Sequence, residues 1–387
     1  MTYRDIDVRI TRVEGFVLSS PYGAGNSLGQ PCGVKSVGLV QVHTDAGISG
    51  LGETYAGIYA PELIAPTTAF LESFAIGRKV GDDTLLADIA GIPFIGRVGL
   101  VRNVASAIEI ALWDIRGKLL EKPSYRLLGD RWRDCVHVYA SGGSAACSPE
   151  EIIHDVAAVV DLGHTAYKMR IGFQPWDVDM QRVASASRAL KGRDLMVDAS
   201  MGTLRPPWSG QRATAAAEEL AAFNLRWLEE PVHPDDVAGL SAVRHQRIVP
   251  IAAGEAYSSA VEYQRIFDMQ AVDILQFDAT HCGGIEFCVE LARRAKASGL
   301  ESAVHVWGSS VALAANAHTA LATSDVGILE IPMVPLEVTK QMWVEPPIIR
   351  NGVWYASTAP GLGVELPDSV RKRYPMVRGS GYRLPKA

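Results

Sequence analysis

Residues 195–229 read LMVDASMGTLRPPWSGQRATAAAEELAAFNLRWLE, and the pattern in this stretch decides the fold. A short apolar run ends in Asp198, a segment of helical length follows, and a second apolar run ends in Glu229. Strands joined through a helix lie parallel, because parallel neighbours need a long crossover connection. The stretch therefore predicts a strand, a helix and a second strand parallel to the first.

The same unit recurs on both sides of this stretch. Eight short apolar runs alternate with segments of helical length. The runs are residues 136–140, 166–171, 195–197, 225–228, 249–253, 274–277, 302–304 and 327–329. Eight strand–helix units predict an α/β fold with a closed (β/α)8 barrel, and an open doubly wound sheet is the alternative. No GxGxxG motif follows the first strand, which disfavours a dinucleotide-binding sheet.

The chain on either side of the barrel has a different character. Residues 1–133 begin with strand-like alternation and continue with helical sequence, whereas residues 336–387 are irregular and rich in proline and glycine. We expect an N-terminal α+β domain over residues 1–133 and a barrel over residues 134–335. A C-terminal segment over residues 336–387 should return to pack on the N-terminal domain.

Composition limits the classes of partner. The chain has 387 residues and a formal net charge of −6, which gives no electrostatic footprint for nucleic acid or an anionic membrane. No apolar stretch approaches the roughly 18 residues of a transmembrane helix, and the N-terminus lacks the apolar core of a secretory signal. Five cysteines without a CxxC pair favour a reducing compartment. We therefore expect a cytoplasmic protein with a small-molecule partner.

An ionisable residue recurs at the carboxyl end of nearly every predicted barrel strand. These residues are Lys168, Arg170, Asp198, Glu229, Glu255, Asp278, His305 and Glu330. Any single acid is more simply a solvated loop residue or a helix cap. Their ordered recurrence favours an active site, because barrel enzymes build their sites at this end.

Three of these acids, Asp198, Glu229 and Glu255, come from adjacent predicted strands. Burying several carboxylates together is costly unless a cation compensates their charge. Oxygen ligands without Cys or His favour Mg²⁺ over Zn²⁺. The sequence therefore predicts a magnesium site held by these three side chains.

The ordered motifs resemble those of the enolase superfamily, and more narrowly its mandelate racemase-like subgroup. They are YKMR (167–170), VDA (197–199), WLEEP (227–231), AGE (253–255), DILQFD (273–278) and His305. The resemblance implies a modified TIM barrel under an α+β capping domain made from both termini, and often a homo-oligomer. It implies Mg²⁺-assisted removal of a proton next to a carboxylate. It also assigns the metal to Glu229, the first glutamate of its motif, and leaves Glu230 as a structural residue on the other side.

The resemblance further assigns roles to the remaining residues. His305 is the base, Asp278 orients it, and Glu330 is a carboxylic acid near the reacting carboxylate. Lys168 and Arg170 lie two apart on one strand and so share a face, which we take to be the barrel interior. The subgroup has a second lysine where this chain has Arg170, and a guanidinium is a poor base but a good carboxylate ligand. This departure disfavours a two-base racemase.

Candidate substrate contacts lie in loops. Residues 19–29 have the composition of a mobile loop, where the family has a lid, and Tyr22 and Asn26 are candidate contacts unless this is a plain surface loop. Tyr55 follows a strand of the capping domain and is a weaker candidate. Trp307 follows His305 by two residues, and either a pocket wall or ordinary packing explains it.

Taken together, these features favour an acid-sugar dehydratase that converts a 2,3-dihydroxy acid into a 2-keto-3-deoxy acid. The alternative is a cycloisomerase acting on the lactone of a related sugar acid, in which a ring oxygen leaves. A racemase or epimerase of a 2-hydroxy acid is the third reading. A non-catalytic binding or scaffold barrel is disfavoured because the three predicted metal ligands and the base are all present.

Overall fold

The computed structural model describes residues 2–23, 32–129 and 131–383, so Asn26 lies outside the described residues. The strands are β1 (Ile10–Pro21), β2 (Val34–Thr44), β3 (Ser49–Thr54), β4 (Cys135–Ser141), β5 (Ala166–Arg170), β6 (Asp194–Asp198), β7 (Trp227–Glu229), β8 (Ile251–Ala253), β9 (Ile274–Phe277), β10 (Glu301–Val304), β11 (Ile328–Pro332), β12 (Ile348–Arg350) and β13 (Val353–Tyr355). The helices are α1 (Ala56–Tyr59), α2 (Ile64–Ala75), α3 (Leu85–Ala90), α4 (Gly99–Leu119), α5 (Pro149–Asp161), α6 (Trp176–Leu190), α7 (Gly210–Leu220), α8 (Val237–His245), α9 (Ala260–Asp268), α10 (Ala279–Cys282), α11 (Ile285–Ala297), α12 (Ser310–Leu321) and α13 (Asp368–Arg373). Within these ranges, no helix has the length and apolar character needed to cross a bilayer.

Strands β4 to β11 form a closed barrel. Each strand pairs in parallel with the next, and β11 pairs in parallel with β4. The predicted eight-stranded barrel is confirmed, and the open sheet is wrong. The hairpin β12–β13 adds antiparallel to β4 on the outside. Its turn residues Asn351 and Gly352 have φ of 50° and 68°, as a two-residue turn that matches strand twist requires.

Alternate side chains of each barrel strand point into the barrel, and they form an apolar layer below the carboxyl ends of the strands. One side chain from each strand fills the interior below the site. These are Tyr139, Ala166, Met196, Trp227, Ala252, Ile274, Ala303 and Ile328. A residue two positions further along a strand points into the same interior. On five of the eight strands that position holds Lys168, Asp198, Glu229, His305 or Glu330.

The capping domain consists of the antiparallel sheet β1–β2–β3 with α4 packed on β3. A Cβ on Gly50 or Gly52 would lie 2.0 Å from the Ala111 carbonyl oxygen or 1.9 Å from that of Ala107. Glycine is therefore required on β3, because the helix backbone approaches the strand so closely. Arg102 of α4 also donates to the Cys282 carbonyl at 3.0 Å, which ties the capping domain to the barrel.

The C-terminal segment crosses back to the capping domain. The backbone N–H of Val377 donates to Ser19 Oγ at 2.9 Å, and that of Gly379 donates to Glu62 Oε1 at 2.7 Å. The N–H of Tyr382 donates to the Ile58 carbonyl at 2.7 Å. The expectation that this segment packs on the N-terminal domain is confirmed, and the domain boundaries stay a prediction.

Candidate active site

A cavity of about 430 Å³ lies between the carboxyl ends of the barrel strands and the capping domain. Arg170, Glu255 and Glu330 line it from the barrel, and Tyr22 and Tyr55 line it from the capping domain. Three of the eight ionisable residues predicted from the strand ends therefore line this cavity, and direct contacts link the other five to them. Their roles stay predictions, while their placement together is a property of the fold.

The innermost cluster joins one lysine to two carboxylates. Lys168 Nζ donates to Glu229 Oε1 at 2.6 Å and lies 3.1 Å from Glu330 Oε1, and all three side chains are buried. Burial opposes the charge of Lys168, but Glu229 and Glu330 outweigh it and hold its pKa well above the ordinary value. Glu330 also accepts from the Val306 N–H at 3.0 Å. Burial raises the pKa of Glu330, but Lys168 and His305 outweigh it and lower the pKa to about 2.

His305 lies between two carboxylates at the ends of neighbouring strands. Its Nδ1 is 2.9 Å from Asp278 Oδ2, and its Nε2 is 3.3 Å from Glu255 Oε2. Asp278 is itself fixed, because its Oδ1 accepts from the Thr280 N–H and from Asn316 Nδ2, each at 2.8 Å. Burial lowers the pKa of His305, but Glu255 and Asp278 outweigh burial and raise it to about 9. Asp278 thus fixes the orientation of the imidazole ring through Nδ1, and Nε2 faces Glu255.

Two of the predicted metal ligands carry a buried oxygen without a hydrogen-bond partner among the described residues. These atoms are Asp198 Oδ2 and Glu255 Oε2. The other oxygen of Asp198 accepts from the N–H and Oγ of Ser200, at 2.7 and 2.8 Å. Each of the two oxygens without a partner has a cationic or titratable side chain nearby, since Asp198 Oδ2 lies 3.6 Å from Arg170 NH1 and Glu255 Oε2 lies 3.3 Å from His305 Nε2. Both oxygens remain open to a ligand, and a ligand set without thiolates suits a hard divalent cation such as Mg²⁺.

The third predicted ligand, Glu229, has both oxygens engaged, because Trp227 Nε1 donates to its Oε2 at 2.9 Å and Lys168 binds Oε1. Burial raises the pKa of Glu229 to about 8 although Lys168 opposes the shift. In the portion of the chain that the structure describes, no three Asp, Glu, His or Cys side chains already form a metal-ligand group. The assignment of Glu229 to the metal stays a prediction.

Glu230 lies at the cavity, and the expectation that it faces the other side is wrong. Its φ of 41° departs from strand geometry, so simple alternation ends at Glu229. Glu230 lines the cavity and is 6% exposed. Burial raises its pKa well above the ordinary value, and the nearby carboxylates of Glu255 and Asp198 raise it further. A fourth carboxylate therefore borders the predicted metal site.

Arg170 lies beside this acidic group. Its NH1 is 3.6 Å from Asp198 Oδ2, and its side chain is 31% exposed towards the cavity. Burial opposes its charge, but Asp198 and Glu255 outweigh burial and raise its pKa. The guanidinium therefore stays protonated and can bind an anion but cannot serve as a base.

Four aromatic side chains, Tyr55, Tyr59, Trp307 and Tyr382, form an aromatic wall on the capping side of the cavity. The Tyr55 ring lies 5.6 Å from the His305 ring and 6.2 Å from the Trp307 ring. Tyr382 lies 5.5 Å from Tyr59 and 5.6 Å from Trp307. All four line the cavity. The predicted contacts Tyr55 and Trp307 are thus placed at the site, whereas Tyr59 and Tyr382 carried no sequence signal.

Tyr22 and two buried charged residues support the aromatic wall from the capping domain. Trp307 Nε1 donates to the Tyr22 hydroxyl at 2.9 Å, and Lys35 Nζ lies 4.0 Å from the centre of the Trp307 ring. Glu53 accepts from the N–H groups of Ser309 and Ala312, each at 3.0 Å, and so caps α12. Sequence reasoning missed Lys35 and Glu53, since only the fold brings them to the loop that carries His305.

Comparison with known families agrees with this geometry. The family described as "Enolase C-terminal domain-like" matches residues 151–370. The family described as "Mandelate racemase / muconate lactonizing enzyme, N-terminal domain" matches residues 30–129. The chain belongs to the enolase superfamily and to its mandelate racemase-like subgroup.

Several relatives are named for sugar acids or their lactones, and another, 28% identical over 339 residues, is the N-succinyl-L-Arg/Lys racemase of Bacillus cereus, covering 85% of this chain and 87% of the relative. The chain is 28% identical over 347 residues to D-galactarolactone cycloisomerase of Agrobacterium fabrum, covering 85% of this chain and 88% of the relative. It is 29% identical over 358 residues to D-xylonate dehydratase of Haloferax volcanii, covering 85% and 82%. At this distance the relatives support an enzyme of the dehydratase or cycloisomerase type.

Solved structures share the whole architecture. The 3,6-anhydro-D-galactonate cycloisomerase of Zobellia galactanivorans superposes with a TM-score of 0.84 at 25% identity, covering 95% of this chain and 99% of that chain. A racemase of Streptomyces coelicolor, solved with bound magnesium, has a TM-score of 0.84 at 23% identity, covering 94% and 99%. The second likeness establishes the fold alone, and its magnesium is a property of that protein.

Proposed function

We propose that the protein is a Mg²⁺-dependent dehydratase of small sugar acids. It removes the proton next to the carboxylate of a 2,3-dihydroxy acid and eliminates the β-hydroxyl, giving a 2-keto-3-deoxy acid and water. The observation that carries the proposal is the pair of His305 and Asp278, with His305 Nε2 3.3 Å from Glu255 at the cavity. Arg170, the cation that lines the same cavity, cannot act as a base. We therefore propose that protons are removed and returned on one face of the substrate, the face that His305 addresses.

Asp198, Glu229 and Glu255 would hold the cation, with Glu230 beside them. The open oxygens of Asp198 and Glu255 support this assignment. When bound, the cation would supply Lewis-acid stabilisation for the negative charge that develops on the substrate carboxylate. This stabilisation would allow a histidine to remove a proton from a carbon that is otherwise a very weak acid.

The chain's own residues supply the proton chemistry. His305 Nε2 takes the proton from the carbon next to the carboxylate, while Asp278 keeps Nδ1 protonated and the ring oriented. The imidazolium then returns a proton to the departing β-hydroxyl, which leaves as water. Lys168 and Arg170 supply positive charge towards the substrate carboxylate, and Glu330 holds Lys168 in place.

A racemase is disfavoured by Arg170. Inversion requires one group that removes a proton on one face and another that delivers a proton on the opposite face. Arg170 stands where the subgroup has its second lysine, and its raised pKa keeps it protonated. Lys168 is bound to Glu229 and Glu330, which hold its pKa well above the ordinary value, so we assign the role of base to His305.

A sugar-lactone cycloisomerase is the second candidate, and the aromatic wall favours it. Aromatic faces carry negative charge and meet the polarised C–H bonds of a sugar ring. The chemistry at His305 is the same in both candidates, except that the β-leaving group is a ring oxygen that stays in the molecule. The likeness to two cycloisomerases is consistent with this candidate.

The direct test is to mix the purified protein with Mg²⁺ and a panel of aldonic acids, aldaric acids and their lactones. We expect a 2-keto acid lighter than its substrate by one water. A product of unchanged mass would replace the dehydratase with the cycloisomerase. An inverted α-carbon that carries solvent deuterium would establish a racemase, and no turnover by the metal-loaded protein would contradict all three.

A further inference from the structure

We infer that the C-terminal segment over residues 377–382 is part of the substrate site, and that Tyr382 is a specificity-determining residue. The inference rests on the proposed function, because it concerns how that site recognises the carbons far from the reacting carboxylate. Tyr382 lies in the last part of the chain that the structure describes, 50 residues beyond the end of β11 at Pro332.

The segment is held firmly against the capping domain. Ser380 is fully buried, and its Oγ is 2.7 Å from Ser36 Oγ, which in turn is 2.7 Å from Ser19 Oγ. Backbone hydrogen bonds fix the chain on both sides of Ser380, from Gly379 to Glu62 and from Tyr382 to Ile58. A chain end without packing partners would fray. These contacts instead deliver Tyr382 to one defined place.

That place is against Tyr59 and Trp307, and Tyr382 contacts both rings. The Tyr382 ring meets Trp307 edge-on, at an interplanar angle of 81°, and meets Tyr59 at 61°. Tyr59 and Trp307 themselves are 6.4 Å apart. Tyr382 lines the cavity beside these two rings, so its removal would take one aromatic face away from a bound substrate.

The charges around the aromatic wall select the kind of group that binds there. Lys35 Nζ lies 4.0 Å from the Trp307 ring centre, and Arg170 Cζ lies 6.0 Å from it. A distal ammonium group on the substrate would be repelled by the Arg170 guanidinium. A polyhydroxylated carbon chain or ring, neutral or ending in an anion, fits the ring faces and the neighbouring charges. The carbons of a sugar acid far from its reacting carboxylate are a group of this kind.

The test compares three single variants with the wild-type enzyme, all loaded with Mg²⁺. Tyr382→Ala removes the ring, Tyr382→Phe keeps it, and Arg378→Ala alters an exposed residue of the same segment as a matched control. We measure kcat and KM for the best acid of the panel, and the binding of the same acid by quenching of tryptophan fluorescence. Thermal unfolding and Mg²⁺ affinity establish that the fold and the metal site are intact.

We expect Tyr382→Ala to raise KM and the dissociation constant at least about tenfold, with kcat within about threefold of wild type. Tyr382→Phe and Arg378→Ala should stay within about threefold in all values. If Tyr382→Ala does not fold, Tyr382→Leu replaces it, because leucine retains apolar bulk without a ring. An unchanged KM in the folded variant, or an equal loss in Arg378→Ala, would overturn this inference alone. Binding of no acid by the wild-type protein would instead overturn the proposed function, and with it this inference.

Discussion

The barrel half and the capping half of the cavity differ in the side chains that line them and in the elements that carry those side chains. The barrel half carries charged side chains, and most of these follow the alternation of regular parallel strands. The capping half carries aromatic rings from the end of β3, from the loop after β10 and from the C-terminal segment. Regular strands fix positions closely, as proton transfer requires, whereas loops and chain ends can change without disturbing the core.

The halves also differ in how their charges are balanced. On the barrel side, Lys168 is matched by Glu229 and Glu330 within 3.1 Å. On the capping side, Lys35 faces the rings of Trp307 and Tyr22 at 4.0 and 5.0 Å. Burial lowers the pKa of Lys35 well below the ordinary value, although Glu53 opposes the shift. We therefore expect catalytic rate to depend on the barrel half and substrate affinity to depend on the capping half.

The largest effect is expected from His305→Asn. Asparagine cannot accept the substrate proton, so kcat should fall about 10³- to 10⁴-fold, in line with the loss of a general base. A continuous assay of 2-keto acid formation gives this value. His281→Asn is the matched control, because His281 lies 5.6 Å from Tyr55 without a role in the mechanism, and its kcat should stay within about fivefold. Equal losses in both variants would contradict the assignment of the base.

The next effect concerns the metal ligands and separates Glu229 from Glu230. Glu229→Gln should weaken Mg²⁺ binding about 100-fold or more, and Glu230→Gln about tenfold or less, because we place only Glu229 in the ligand set. Calorimetric titration of the chelator-treated protein measures both affinities without turnover. The reverse order would assign the third ligand to Glu230. Unchanged affinity in both variants would remove this pair from the metal site.

A smaller effect is expected on the capping side from Lys35→Met. Loss of the Lys35 nitrogen that lies over the Trp307 ring should raise KM about tenfold, which corresponds to about 1.4 kcal/mol. Steady-state kinetics should give a kcat within about threefold of wild type. Lys122→Met, a change at an exposed lysine, is the control. A large fall in kcat at unchanged KM would show that the capping half takes part in the chemistry.

The smallest effect on activity is expected away from the cavity. His318 of α12 accepts from the Tyr125 N–H at 3.1 Å, and burial lowers its pKa to about 3. Because the unfolded chain binds this proton near pH 6.5, folding stability is full above that pH. Stability is then lost as the pH falls towards 3, by at most about 1.4 kcal/mol per pH unit from this group.

His318→Asn keeps an acceptor at that place and removes the titration. The free energy of unfolding, from denaturant titrations between pH 7 and 4, should therefore fall less steeply in the variant than in the wild type. Activity at neutral pH should stay within about threefold. An equal slope in both proteins would show that His318 is not the titrating group.

The sequence predicts the barrel half far better than the capping half. Strand alternation and the order of acids lead to Lys168, Asp198 and His305, because a local period fixes where these side chains point. Alternation predicts the wrong side for Glu230, because its φ of 41° interrupts the strand period. Tyr382 and Lys35 are missed for another reason. Their places depend on contacts between distant segments, such as Ser380 with Ser36, and no local pattern encodes such contacts.

The central claim is that His305 alone removes the proton next to the carboxylate, while the aromatic wall only recognises the substrate. The most direct measurement is the rate at which deuterium at the α-carbon of the labelled acid is lost, at saturating substrate and Mg²⁺. We predict rapid loss with the wild-type enzyme, none above background with His305→Asn, and a rate within about threefold of wild type with Tyr382→Ala. Deuterium loss with His305→Asn at the wild-type rate, or its disappearance with Tyr382→Ala, would contradict the account.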